Sequence, residues 1–133
     1  MIPERYASQT YALTRIVFAL MYLTYGLQKL GMFGGQAVPL ISWPFGYAGI
    51  IETICGLLIA IGWFTRPAAF VAAGEMAVAY FYVHQRTGGL PVQNQGIPAV
   101  LFCFAFLHVA ARGAVLWGVD AARAGAAVDA VRT

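Results

Sequence analysis

The chain has 133 residues, of which 61% are hydrophobic and 10% are charged, and its mean hydropathy is +0.74. Soluble domains carry about 25% charged residues, so this chain has too few polar side chains to cover a water-soluble core. Its net charge is +3, but the basic residues are scattered and form no stripe that would follow phosphates, which excludes nucleic acid as a partner.

Four apolar segments have the length of about 20 residues that a helix needs to cross a bilayer core. We expect helices at about residues 11–33, 47–64, 68–84 and 98–117. The start of the chain lacks the layout of a cleaved signal peptide, so we expect the first segment to be retained. The sequence therefore predicts an all-α integral membrane protein, a four-helix transmembrane bundle that forms one domain over residues 1–133.

The connections between these segments contain turn-forming residues. Residues 34–46 combine Gly, Pro and aromatic residues and predict a loop at the membrane interface. Residues 65–67 form a very short connection, which predicts an antiparallel hairpin of the second and third helices. The polar, Gly-rich residues 85–96 separate the third helix from the fourth. Residues 118–133 are too polar to span a membrane and predict a short surface helix or a frayed end.

The distribution of basic residues predicts an orientation, because Lys and Arg accumulate on the cytoplasmic side of membrane proteins. Five arginines fall on the side shared by both termini and the second connection, whereas Lys29 and Arg86 fall on the other side. Both termini are therefore expected in the cytoplasm. The five are Arg5, Arg66, Arg112, Arg123 and Arg132.

Several polar residues interrupt the apolar segments. An ionised side chain at the bilayer centre costs about 2.5 to 3.5 kcal/mol, so such residues usually face the protein interior and are paired. At a rise of 1.5 Å per residue, Lys29 and Glu52 come to similar depths, as do Glu75 and His108. We predict a buried polar cluster or ligand-binding set formed by Lys29, Glu52, His84, Glu75, His108 and Arg15.

Structural alternatives stay open for most of this set. Lys29 either pairs with Glu52 or extends to the headgroups, while Glu52 is expected to be buried and either partnered or protonated. Glu75 and His108 either bond each other to stabilise the bundle or serve a proton relay or ligand, and His84 is an interfacial residue or a ligand contact. The two His residues lie at different depths without a third ligand, so no metal site is predicted.

The pattern over nearly the whole chain resembles the DoxX family of small four-helix bacterial membrane proteins. The residues that carry the resemblance are Arg15, Gly26-Leu27-Gln28-Lys29-Leu30, Glu52-Thr53-Ile54-Cys55-Gly56-Leu57-Leu58, Gly62-Trp63-Phe64-Thr65-Arg66-Pro67-Ala68-Ala69, residues 76–79, His84, Asn94-Gln95-Gly96, residues 99–107, Gly113 and Val119-Asp120. One departure is Gly96-Ile97-Pro98, where the family commonly has an acidic residue.

The resemblance implies a multi-pass protein of the bacterial inner membrane that is associated with membrane redox chemistry. Our leading hypothesis is an accessory subunit that binds a quinone or another aromatic ligand, with Lys29, Glu52 and His84 supplying hydrogen bonds or protons. The alternative is a non-catalytic structural or assembly subunit of a larger membrane complex. The expected partners are the lipid bilayer and either other membrane subunits or further copies of the chain. Catalysis is left open, and no catalytic residue is assigned.

Overall fold

The computed structural model describes residues 1–132, which form five α-helices and no strand. The helices are α1 (Ala7–Lys29), α2 (Phe45–Ile61), α3 (Thr65–Ala79), α4 (Ile97–Arg112) and α5 (Val119–Arg132). A 3-10 turn, Glu4–Tyr6, precedes α1, while α3 continues into a π-helical turn, Tyr80–His84, and a 3-10 turn, Gln85–Thr87. The prediction of an all-α protein is confirmed.

Glycines with a positive φ end two of the helices before the predicted segments end. Gly62 follows α2 with φ 71°, and Gly113 follows α4 with φ 75°. This conformation is readily accessible to glycine and commonly stops a helix. Among residues 1–132, none of the helices has the combination of length and hydropathy by which a membrane-spanning helix is recognised.

The packing of the bundle is dominated by two helix pairs, α1 with α2 and α3 with α4, and α2 also packs on α3. Small residues let α1 and α2 approach closely. A Cβ atom at Gly26 would lie 2.5 Å from Thr53 Oγ1, and one at Gly56 would lie 2.9 Å from the Cα atom of Leu23. The crossing of these two helices therefore requires glycine on both sides.

The core contains aromatic side chains at its centre and small side chains along α3. Tyr22 and Phe106 are fully buried and pack edge to face with ring centroids 4.9 Å apart. Buried alanines of α3, such as Ala69 and Ala72, let the neighbouring helices approach. Many large apolar side chains point outward instead, including Leu20, Ile54, Phe70 and Phe104.

The predicted α2–α3 connection, residues 65–67, is in fact the first turn of α3. The hairpin turns at residues 62–64, and Asp120 accepts hydrogen bonds from the backbone N–H groups of Phe64 and Thr65. These bonds satisfy donors that a helix N-terminus leaves unpaired. Asp120 belongs to α5, and its own N–H donates to the Gly62 carbonyl oxygen over 2.8 Å. The C-terminal segment is thus a helix whose start is bound to the bundle.

Candidate functional site

A pocket of about 450 Å³ opens at the end of the bundle away from the chain termini. It lies between the end of α1, the start of α2, the second half of α3 and the start of α4. The walls are mostly apolar and carry the aromatic side chains Tyr25, Trp43, Phe45, Tyr47, Tyr82 and Phe102. The polar side chains of the lining are Lys29, Glu52, Glu75, His84 and Gln95. Four of the six predicted site residues therefore line one cavity.

Lys29 and Glu52 form an ion pair in this pocket, with 2.6 Å between Nζ and Oε2. The side chain of Glu52 is 3% exposed and that of Lys29 is 22% exposed. Gly49, one turn before Glu52, leaves room for the Lys29 side chain, because a Cβ atom there would lie 3.1 Å from the Cβ atom of Lys29. The Lys29 ammonium also lies 5.8 Å from the centre of the Tyr25 ring. The predicted contact between Lys29 and Glu52 is formed.

Glu75 lies farther from the mouth of the pocket and is half-buried. The Tyr22 hydroxyl of α1 donates a hydrogen bond to Glu75 Oε2 over 2.9 Å. The bond between Glu75 and His108, which was one of the alternatives considered from the sequence, is not formed, because His108 is on the outer side of α4. It is exposed there and packs edge to face on Tyr11, with ring centroids 5.5 Å apart. His108 is therefore separate from the pocket.

His84 is held at the mouth of the pocket by the loop before α4. Its Nδ1 is 3.0 Å from the carbonyl oxygen of Asn94. Since a carbonyl can only accept, Nδ1 carries the hydrogen. The Asn94 side chain in turn donates to Gly88 O and accepts from Gly96 N–H, both at 2.8 Å. In the neutral imidazole, Nε2 is then an acceptor at the pocket lining.

The sixth predicted residue, Arg15, lies at the opposite end of the bundle. Its side chain is fully buried, and Nη2 donates to the Trp117 carbonyl oxygen over 2.6 Å. The surroundings of Nη1 are tight, because Cβ atoms at Gly62 and Gly118 would lie 2.7 and 2.9 Å from it. Arg15 thus connects α1 to the segment between α4 and α5 and is not part of the pocket.

Asp120 completes this second polar cluster and was not among the predicted site residues. Besides the two backbone bonds, its Oδ2 accepts from the Thr65 hydroxyl over 2.8 Å. Partial burial acts to raise the pKa of Asp120, but the hydrogen bonds from Thr65 and Phe64 outweigh it and hold the pKa below its usual value. Asp120 is separated from its partners by more than fifty residues, so no local sequence signal marks this contact.

Sequence reasoning also missed the contribution of the loop between α1 and α2 to the pocket. The aromatic residues of the predicted loop, residues 34–46, were expected only to lie at the membrane interface. Trp43 and the first residue of α2, Phe45, instead line the cavity, and Trp43 packs on Tyr82 with ring centroids 5.4 Å apart. Among residues 1–132, no group of three or more His, Cys, Asp and Glu residues is arranged to hold a metal ion. Both cysteines, Cys55 and Cys103, are free thiols.

Comparison with known proteins assigns a family. The DoxX family profile matches residues 10–85, which include most of α1 and all of α2 and α3. The chain belongs to the DoxX family. It is also 34% identical over 128 residues to an uncharacterized protein of Haemophilus influenzae, an alignment that covers 88% of this chain and 92% of the relative. No solved structure matches this DoxX-family chain significantly.

Proposed function

We propose that this DoxX-family protein is an integral protein of the bacterial inner membrane whose pocket binds a quinone or another flat aromatic ligand. In this role it serves as an accessory subunit of membrane redox chemistry. The observation that carries the proposal is the convergence of Lys29, Glu52, Glu75 and His84 on one cavity with aromatic walls. Ligand pockets typically combine apolar walls with a few placed polar groups, at volumes of about 300 to 1,000 Å³.

The outer surface of the bundle supports a membrane location. Leu20 of α1, Ile54 of α2, Phe70 of α3 and Phe104 of α4 are all exposed, so apolar side chains cover the outside on every side of the bundle. Contiguous apolar surface of this kind marks a membrane or partner interface. Family membership agrees with a membrane setting.

The arrangement of basic residues supports cytoplasmic termini. Arg66 and Arg112 meet at the end of the bundle that also carries α5, where an Arg66 N–H donates to the Arg112 carbonyl oxygen over 3.4 Å. Arg123 lies there as well, 6.0 Å from the Trp63 ring. The pocket opens at the opposite end, so in this orientation its mouth faces the outer leaflet of the membrane.

Tryptophan fluorescence offers a direct test of ligand binding, because only one of the three Trp residues lines the pocket. Replacing Trp63 and Trp117 by Phe leaves Trp43 as the single reporter. We expect a decyl-substituted benzoquinone to quench Trp43 fluorescence saturably in lipid nanodiscs. In this background Glu52→Gln should raise the dissociation constant about tenfold, which corresponds to about 1.4 kcal/mol.

The matched control retains Trp63 and replaces Trp43 and Trp117 by Phe. Quenching of Trp63, which lies at the other end of the bundle, is expected to rise linearly with quinone concentration because it reports only random encounters in the lipid. Linear quenching of equal slope in both variants would contradict ligand binding in the pocket.

The exposed aromatic side chains favour a second candidate function. Phe70, Phe81 and Phe104 project from the bundle and could pack against the helices of a larger complex, with the buried charges fixing helix register only. In that case the Trp43 variant would show no saturable quenching, while Phe→Ala changes on the outer face would release partner subunits during purification in mild detergent.

A further inference from the structure

Glu75 differs from the other carboxylate of the pocket in what it is bound to. Glu52 is paired with the Lys29 ammonium, whereas Glu75 receives a single hydrogen bond, from the Tyr22 hydroxyl to Oε2. Among residues 1–132 no donor is bound to the other oxygen, Oε1. Because Glu75 lines the cavity, this oxygen is an acceptor available to a ligand.

Glu75 lies in the pocket away from its mouth, where its carboxylate can contact a bound ligand. His84, at the mouth, is nine residues farther along the chain, at the end of the π-helical turn, and so lies about two helical turns from Glu75. The pocket therefore offers His84 at one end and Glu75 at the other, with the Lys29–Glu52 pair contributed by α1 and α2. A ligand bound beside Glu75 therefore meets the acceptor Oε1, while the Tyr22 hydroxyl is already bound to Oε2.

The free acceptor oxygen of Glu75 determines which redox form of the ligand fits the pocket better. A quinone presents only carbonyl oxygens, which would face the ionised form of the Glu75 carboxylate as acceptor against acceptor. The reduced dihydroxyaromatic form presents O–H donors, and a hydrogen bond to a charged acceptor is stronger than one between neutral groups. We propose that Glu75 recognises a phenolic hydroxyl of the ligand, so that the pocket binds the reduced form in preference to the quinone. This inference rests on the proposed function of the same pocket.

The inference is tested with two ligands that differ only in the donor and do not undergo quinone redox chemistry: 4-nonylphenol and its methyl ether, 4-nonylanisole. Each displaces the decyl-substituted benzoquinone from the protein that retains Trp43 alone, and each affinity is corrected for partition into protein-free nanodiscs. At about pH 9, at which the Glu75 carboxyl group is ionised, we expect the phenol to bind about 10- to 100-fold more tightly than the ether, as a hydrogen bond to a charged group implies.

Four variants test whether the preference for the phenol over the ether depends on Glu75. Glu75→Leu should reduce the ratio of the two affinities to within about threefold. Tyr22→Phe, which removes the internal donor but keeps the carboxylate, should retain the preference. Val71→Ala, which changes only an apolar part of the wall, should retain it too. If the Leu variant fails to fold, Glu75→Gln, which keeps a neutral acceptor, should give an intermediate ratio.

Equal affinities for the phenol and the ether in the otherwise unchanged protein would overturn the inference while leaving the pocket intact as a ligand site. A preference that persists in Glu75→Leu would overturn it as well, since another group would then be the acceptor. Tighter displacement by benzyltriethylammonium than by the phenol would show that Glu75 recognises charge, against this inference. Absence of saturable binding by any aromatic ligand would instead defeat the proposed function itself.

Discussion

Glu52 depends on one partner for the stability of its buried charge. With 3% of its side chain exposed, it has no access to water if Lys29 is lost. We expect Lys29→Met to lower the free energy of unfolding by about 3 kcal/mol, because it leaves a buried carboxylate unpaired. Unfolding by SDS in mixed micelles measures this change.

The double variant Lys29→Met with Glu52→Gln is the control for that prediction. Removing both charges together is expected to recover most of the lost stability, because neither side chain then carries an unpaired charge. If Lys29→Met alone stays within about 0.5 kcal/mol of the original protein, the ion pair contributes nothing and the buried state of Glu52 has another explanation.

Asp120 should make the stability of α3 dependent on pH. Its pKa is lower in the folded protein than the usual value of 3.8, so its contribution is present above that value and is lost as pH falls through the folded pKa. Asp120→Ala is expected to lower the free energy of unfolding by about 1 kcal/mol at pH 7, as for loss of a helix cap. Thermal unfolding followed by circular dichroism between pH 7 and pH 2 measures it.

Asp129 of the same helix provides the matched control, because it is exposed and lies in the last turn of α5. Asp129→Ala should leave the pH dependence unchanged, whereas Asp120→Ala should flatten it below about pH 4. Equal pH profiles for the original protein and Asp120→Ala would mean that the carboxylate does not stabilise the start of α3.

The sequence predicted which residues belong to the site better than it predicted which side chains they contact. The matching depths of Lys29 and Glu52 were enough to predict their contact, because the depth of each residue is counted from helix ends whose positions follow from hydropathy. The partner of Glu75 could not be found in this way, since Tyr22 and His108 lie at comparable depths and only helix rotation distinguishes them. Rotation is set by packing across the bundle, which hydropathy does not encode.

At the level of secondary-structure elements, the crossing of α1 and α2 carries a specific requirement for small residues. Gly26→Ala would place a methyl group 2.5 Å from Thr53 Oγ1 and 2.6 Å from the Thr53 backbone nitrogen. Since backbone cannot move aside without separating the helices, we expect a loss of about 2 kcal/mol of stability. Quinone binding should weaken as well, because the same separation moves Lys29 away from Glu52.

Gly74→Ala is the control for this prediction, because it also adds a methyl group inside a helix. Nothing lies within 4 Å of a Cβ atom at Gly74, so the change should be neutral or should stabilise α3 by up to about 1 kcal/mol. Unfolding in SDS compares the two variants. Equal effects at Gly26 and Gly74 would indicate that helix propensity, and not the close crossing, governs the response.

The elements themselves were largely predictable, while their ends and the last helix were not. The apolar segments predicted α1 to α4, because long and mostly apolar runs leave few alternatives to helix. Residues 65–67 were assigned to the connection, although Pro67 suits the first turn of a helix, and the cap that starts α3 earlier comes from a distant aspartate. The same aspartate binds the start of α5 to residues more than fifty positions away, so sequence alone left a surface helix and a frayed end as alternatives.

At the scale of the whole molecule, polar groups are sorted into two clusters at opposite ends of the bundle. One contains Lys29 and Glu52 beside the pocket, and the other contains Arg15 and Asp120 beside the termini. Apolar side chains cover the outer surface between them. In a bilayer this arrangement keeps the rare charges inside the protein while the outside faces acyl chains. The central claim is therefore that lipid, and not water, surrounds the middle of the bundle.

Cysteine accessibility tests this claim most directly. In a protein whose Cys55 and Cys103 are replaced by Ala, single cysteines are introduced one at a time on the outer faces of α1 to α4 and in two reference positions. The outer-face positions are Leu20, Ile54, Phe70 and Phe104, and the references are Gln93 before α4 and Ala126 in α5. Each variant is treated in spheroplasts with a membrane-impermeant maleimide.

We predict that Gln93→Cys is labelled at once and Ala126→Cys only after the membrane is made permeable. The four outer-face cysteines should stay unlabelled in both conditions and react only after denaturation in SDS. Because the four positions surround the bundle, contact with one neighbouring protein would not shield them all. Rapid labelling of all four in the folded protein would contradict the account.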